Sequence, residues 1–178
     1  TNSHYGEVLS LDKSHLGSIS SMPLLQPVQP WNTDNLLSGF GMRVNPFHKG
    51  LYKHPGVDIA GPRGTEVVAT ASGTIVRINK SDVQAGYGNF IEIDHGNGFV
   101  TRYAHLEEIR VKHYQKIAKG AVIATIGNSG GSIAPHLHYE VIRDGKAVDP
   151  VHYMIKGLGS NEHHRLQSLG QKQNQSLD

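Results

Sequence analysis

The sequence predicts an all-β domain built on an antiparallel sheet. Three observations carry that prediction. Glycine is abundant, 21 of 178 residues, while long helical patterns are scarce, a combination that suits strands joined by turns. Seven or more short apolar or alternating stretches recur at regular spacing, each bounded by Gly, Asn or Pro. One of these, Pro135-His136-Leu137-His138-Tyr139-Glu140-Val141, has the period of two of a strand. It sets His136, His138 and Glu140 on one face and turns Leu137, Tyr139 and Val141 toward a core.

Residues 1–37 read as an irregular N-terminal arm. Pro23, Pro27 and Pro30 forbid a regular helix there and favour extended chain. Leu24, Leu25 and Trp31 are its expected anchors, and His4 and His15 its solvent-facing histidines. The domain proper runs over 38–155. Phe40–Val44 is a strand candidate, Asn45–Gly50 a loop, and His54–Ala60 runs into a turn at Gly61–Gly64. Glu66–Ala71 and Thr74–Ile78 flank Ser72-Gly73 and read as a hairpin. Phe90–His95 and Phe99–His105, joined by Gly96-Asn97-Gly98, read as a second. Leu106–Lys119 is a connection, helical or extended. Ala121–Ile126 is a strand closed by the glycine-rich Gly127–Ser132. The histidine strand follows, then the hairpin signal Asp144-Gly145. Residues 156–178 form a polar C-terminal tail, with one helix over Glu162–Leu169 and a frayed end from Gln171.

Composition removes several classes. A net charge of +2 is too small to argue for nucleic acid or an acidic membrane surface. Absent cysteine excludes disulfides and Cys-ligated zinc. No apolar run approaches the ~20 residues of a membrane span. No signal pattern precedes Thr1, which suits a mature fragment. A monomer is expected.

The 12 histidines are the compositional oddity. His54 and Asp58 are four apart, but Pro55-Gly56 argues against a helix, so they read as a loop residue and a strand start. With His138 they supply two imidazoles and one carboxylate, the donor set of a catalytic zinc site that keeps a fourth position for water. His136 on the same face, and His105 ending Thr101–His105, are then free for proton transfer or oxyanion stabilisation. Spacing alone leaves unrelated histidines on polar strand faces as an equal explanation.

The ordered motifs go further. His54-x-x-x-Asp58, Tyr103-Ala104-His105-Leu106 and His136-Leu137-His138-Tyr139-Glu140 resemble those of the lysostaphin/LytM-type zinc metallopeptidases. So do Ser38-Gly39-Phe40-Gly41-Met42-Arg43, Gly64-Thr65-Glu66-Val67, Gly86-Tyr87-Gly88-Asn89 and Ala134-Pro135. The resemblance covers about residues 38–150. It implies an antiparallel sheet of the duplicated-hybrid-motif type with a groove across one face. It implies Zn²⁺ on His54, Asp58 and His138, with His105 and His136 as the catalytic histidines. The implied substrate is the peptide part of bacterial peptidoglycan, and the implied location is extracytoplasmic. The sequence departs from the family at His113–Lys116, where a Gly-containing turn is usual. The alternative is a non-enzymatic module that binds cell wall or activates an amidase. That reading goes with lost ligands, and none is lost here.

Other polar residues have plainer alternative roles. Arg43 and Tyr103 are candidate substrate contacts, each with a structural alternative; Tyr103, two before His105, is expected on the same strand face with its hydroxyl within reach of the site. Glu140 is a candidate partner for the outer nitrogen of a ligand imidazole. His48, His95, His113 and His152 read as loop or surface residues, and His163 and His164 as surface. Gly127-Asn128-Ser129-Gly130-Gly131 matches G-x-S-x-G, but a strand rather than a helix follows, so it reads as a turn at the groove rim. The proline-rich arm, directly before the first site strand, is a candidate cover for the groove.

Overall fold

The computed structural model describes residues 19–172 and 174–178. Thirteen strands and one long helix lie among them. The main sheet has the order β1 (Leu36–Ser38), β4 (Val57–Ala60), β12 (His136–Arg143), β8 (Phe99–Ala104), β7 (Phe90–Gly96), β6 (Gly73–Asn79) and β10 (Lys116–Ile117), with β13 (Lys146–Val148) pairing β12. A second sheet orders β5 (Glu66–Val68), β11 (Val122–Ile126) and β9 (Leu106–Ile109). β2 (Gly41–Val44) and β3 (Leu51–His54) form a separate hairpin. Every pairing of these strands is antiparallel.

The strand period explains the core. Val57 and Ile59 of β4, Leu137, Tyr139 and Val141 of β12, Tyr103 of β8 and Ile91 and Ile93 of β7 share one apolar cluster. Val67 of β5 and Ile123 and Ile126 of β11 complete it from the second sheet. Burying each such side chain contributes roughly 1.5–3 kcal/mol. The opposite face of the main sheet carries Asp58, His136, His138 and Glu140.

Several expectations need correction. Glu66–Ala71 does not form a hairpin with Thr74–Ile78: β5 pairs β11, while β6 pairs β7 and β10. Ser72-Gly73 is a crossing between sheets, which local turn chemistry cannot tell from a hairpin. His54 ends a strand rather than sitting in a loop, and Leu106–Lys119 holds β9 and β10. The hairpins β7–β8 and β12–β13 are as expected.

The arm is not separate from the sheets. Leu36–Ser38 is β1, the edge of the main sheet. Val28 is buried and bridges Val67, and the Val68 N–H donates to Pro27 O at 2.8 Å. Gln26 donates to the carbonyls of Met154 and Lys156 at 3.1 and 2.9 Å. His4 and His15 lie outside the described residues.

Helix α1 spans Ser160–Gln171 and buries Leu166 and Gly170. Gly39 must be glycine, because a Cβ there would strike the Gly170 carbonyl. Arg43 donates to that same carbonyl and to Met42 O, and its side chain is buried. It ties β2 to α1, as the structural alternative expects. Beyond α1 the chain is not frayed. Residues 174–178 run back along β2, with Gln175 bridging Val44 in parallel.

Candidate metal centre

Three strands bring the donors together. Antiparallel pairing sets Asp58 of β4 directly opposite His138 of β12. The Pro55-Gly56 corner folds His54, at the end of β3, over them. Gly56 permits this, since a Cβ would collide with the Tyr139 carbonyl. All three side chains are fully buried.

Their inner atoms form a triangle with equal edges. His54 Nε2 lies 3.2 Å from His138 Nδ1, and each lies 3.2 Å from Asp58 Oδ1. Two ligands bound at ~2.0–2.1 Å around tetrahedral zinc stand about 3.3 Å apart, so the triangle has the size of one face of that coordination shell.

The outer atoms decide the proton positions. His54 Nδ1 faces the Gly39 carbonyl at 2.8 Å, and His138 Nε2 faces Glu140 Oε1 at 2.9 Å. Both partners accept, so each outer nitrogen can carry the ring proton while the inner one is given to a metal. Three lone pairs then converge on one buried point, which is unfavourable unless a cation lies among them. The donor set thus fits a zinc ion.

Protonation responds to the same demand. Burial opposes a charged His54, but Asp178 and Asp58 outweigh it and raise its pKa to about 9. Burial opposes a charged His138 too, and Asp178, Asp58 and Glu140 hold its pKa well above the ordinary value. Asp58 is held well below its usual range by His136, His138 and His54, against burial and the charge of Asp178.

His105 and His136 flank this centre, ring centroids 4.8 Å apart. Each points its Nδ1 at a backbone carbonyl, Ser129 O at 2.7 Å and Ala134 O at 2.8 Å respectively. Each therefore presents Nε2 inward. His136 Nε2 is buried without a hydrogen-bond partner, standing 3.5 Å from Asp58 Oδ1. His105 lies just past β8 with φ of 59°, a left-handed turn that swings its ring off the strand's alternation.

That turn corrects the reading of Tyr103. Two residues before His105, it does not share its face. Its ring is in the core, and its hydroxyl meets Thr70 and Thr101. Ser129 is no nucleophile candidate either: its Oγ donates to Leu106 O and accepts from Asn89 N–H. His95 is buried, not on the surface.

Glu140 does meet His138, within a row of alternating charge. Arg77, Glu92, Arg102 and Glu140 are successive partners across β6, β7, β8 and β12. Arg102 donates to Glu92 at 2.7 Å and to Glu140 Oε2 at 2.7 Å, and the Tyr87 hydroxyl donates to Glu140 Oε1 at 2.6 Å. Burial, then the charge of Glu140, raises the Tyr87 pKa to about 12. Arg102 and Tyr87 were not singled out from sequence, although the alternation of β8 places Arg102 on this face.

A fourth member, the acid Asp178, completes the cluster. Asp178 Oδ1 lies 3.2 Å from His54 Nε2, and its Oδ2 lies 2.8 Å from His138 Nδ1 and 3.3 Å from His105 Nε2. A cavity of about 570 Å³ opens beside it, lined by Phe47, Tyr52, Pro55, Tyr87 and Gly131. Residues 19–35 of the arm do not line it.

Residues 52–150 match the description "Peptidase family M23". Among curated relatives, the peptidoglycan DD-endopeptidase ShyA of Vibrio cholerae is 40% identical over 107 residues, 60% of this chain and 24% of that protein. The murein hydrolase activator NlpD of Salmonella typhimurium is 34% identical over 76% of this chain and 34% of that protein. The chain thus spans about a quarter to a third of these relatives' length. Among solved structures, a zinc-containing peptidase from Vibrio cholerae superposes with a TM-score of 0.62 and 33% identity, over 75% of this chain and 39% of that one.

Proposed function

The chain belongs to peptidase family M23, and we propose that it is a zinc-dependent endopeptidase hydrolysing peptide bonds in bacterial peptidoglycan. The observation that carries this reading is the buried triangle of bare donors on His54, Asp58 and His138, each edge 3.2 Å. Zinc held there would lower the pKa of a bound water to ~7 and polarise an amide carbonyl.

The chain's own residues do the rest. Glu140 and Gly39 fix the two ligand imidazoles in the tautomers that face inward. His105 and His136 act at Nε2, one accepting a proton from the attacking water. The other donates a hydrogen bond to the oxygen that gains charge as the amide is attacked. Their Nδ1–H bonds to backbone carbonyls hold both rings in place through the exchange. Substrate chemistry puts the protein outside the cytoplasm, and no helix among the described residues is long and apolar enough to cross a membrane.

Purified chain should carry about one zinc per molecule. It should release cleaved peptides from isolated peptidoglycan, stopping on chelation and in Asp58→Asn. Zinc-loaded protein that leaves peptidoglycan intact both with and without residues 174–178 would overturn the enzymatic reading. The likeness to NlpD favours one other, activation of a separate murein hydrolase. An Asp58→Asn protein that still stimulates such a hydrolase would establish it.

A further inference from the structure

The sequence implies a centre with three protein ligands and an open fourth position. The structure places a side chain there. Asp178 arrives on a segment held by backbone and side-chain bonds rather than by apolar packing. The Val44 N–H donates to Asn174 O at 3.2 Å, and the Ser176 N–H donates to Val44 O at 3.1 Å. On the other side the Ile133 N–H donates to Leu177 O at 3.1 Å. The Leu177 N–H donates to Asp58 Oδ2 at 2.9 Å, and the Tyr52 hydroxyl to Ser176 Oγ at 2.7 Å and Asp178 O at 3.0 Å. Ser176 is fully buried.

This is an extended peptide seated in a cleft, bridged in parallel to Val44 at the end of β2, a main-chain mode of peptide recognition. Val44 and Ile133 offer it main-chain groups that any extended peptide can use. The carboxylate at its end spans the inner nitrogens of His54 and His138 and closes the triangle from its open side.

We propose that Asp178 is the fourth ligand of the metal centre, delivered by residues 174–178 lying in the cleft where the substrate peptide lies. The consequence is a latent centre. Catalysis needs the fourth position for water, so residues 174–178 must leave before a substrate strand takes their place on Val44 and Ile133. This rests on the cluster being a metal site.

The test uses Co²⁺ in place of zinc, because its visible absorption reports ligand number and type. Asp178→Ala, and a chain lacking residues 174–178, should each shift the band relative to wild type. Their zinc dissociation constant by chelator competition should rise about tenfold, the lower end of the ~10–100-fold lost when even an outer partner is removed. Adding the peptide Asn-Gln-Ser-Leu-Asp should return the shortened chain's spectrum toward wild type. Peptidoglycan cleavage should rise several-fold in both variants.

Unchanged spectra and unchanged zinc affinity would overturn the ligation, whatever the activity. Shifted spectra with no cleavage by any form would uphold the ligation and instead overturn the hydrolase reading. Failure of all three proteins to bind one equivalent of Co²⁺ would remove the metal centre and the proposal with it.

Discussion

The two faces of β12 are both buried, but by different means. Leu137, Tyr139 and Val141 are covered by other apolar side chains. His136, His138 and Glu140, on the other side of the same backbone, are equally covered, by partners that carry charge. An apolar face is stable wherever water is kept out. A polar face tolerates burial only where each donor and acceptor is matched. The row Arg77, Glu92, Arg102, Glu140 and the acids Asp58 and Asp178 supply that matching for all but His136 Nε2, which stays unpaired beside Asp58. Exposure does not distinguish the two faces; the inventory of partners does. Changes on the first face should move stability and spare the centre, and changes on the second should do the reverse.

The largest effect is expected on the apolar face. Leu137→Ala should lower unfolding free energy by about 2–5 kcal/mol, since Leu137 is fully buried and the core closes only partly around a cavity. Denaturant titration measures this, and zinc affinity of the folded variant should stay within about twofold. A marked loss of affinity would mean that the faces are not separable.

Glu140→Gln is the complementary change. Gln keeps the shape but offers one acceptor where Glu140 uses two oxygens, for His138 and Tyr87 on one and Arg102 on the other. Zinc affinity should fall by ~10–100-fold, the range for loss of an outer partner of a ligand imidazole. Chelator competition reads it directly. A variant that unfolds at lower denaturant yet binds zinc as wild type does would make Glu140 merely part of the sheet.

How far each face was legible follows from the same contrast. The alternation of β12 was plain, because apolar burial repeats every second residue. The ordered motifs brought His54, Asp58, His105, His136 and His138 to one place, and the structure does assemble them. Tyr103 was misplaced because period two fails at His105, where φ turns positive, and nothing in Tyr-Ala-His announces that turn. The β5–β6 hairpin was misread because sheet crossover is decided by long-range pairing. Asp178 was missed for a deeper reason. A polar segment after a helix looks unstructured to any hydrophobic pattern, and its order comes from main-chain bonds and a charged centre that lie far away in sequence, Asp58 being 119 residues before Leu177.

His95 offers the finest test, since it is an imidazole on the apolar face. It alternates with Ile91 and Ile93 on β7, packed between the Ser72 carbonyl at 2.9 Å and Thr101 Oγ1 at 2.7 Å. Around the centre, carboxylates raise histidine pKa values. Here burial dominates and lowers the pKa below 6.5, with Ser72 O and the exposed Asp94 only partly opposing it. The unfolded chain therefore binds a proton more readily than the folded one, so stability is present above pH 6.5 and declines as pH falls below it. His95→Gln, which keeps a donor and an acceptor but cannot titrate, should flatten the decline between pH 7 and 5. Denaturant midpoints of both proteins across that range measure the difference. Parallel curves would show that His95 is solvated enough to charge freely, and that the apolar face is less dry than its packing implies.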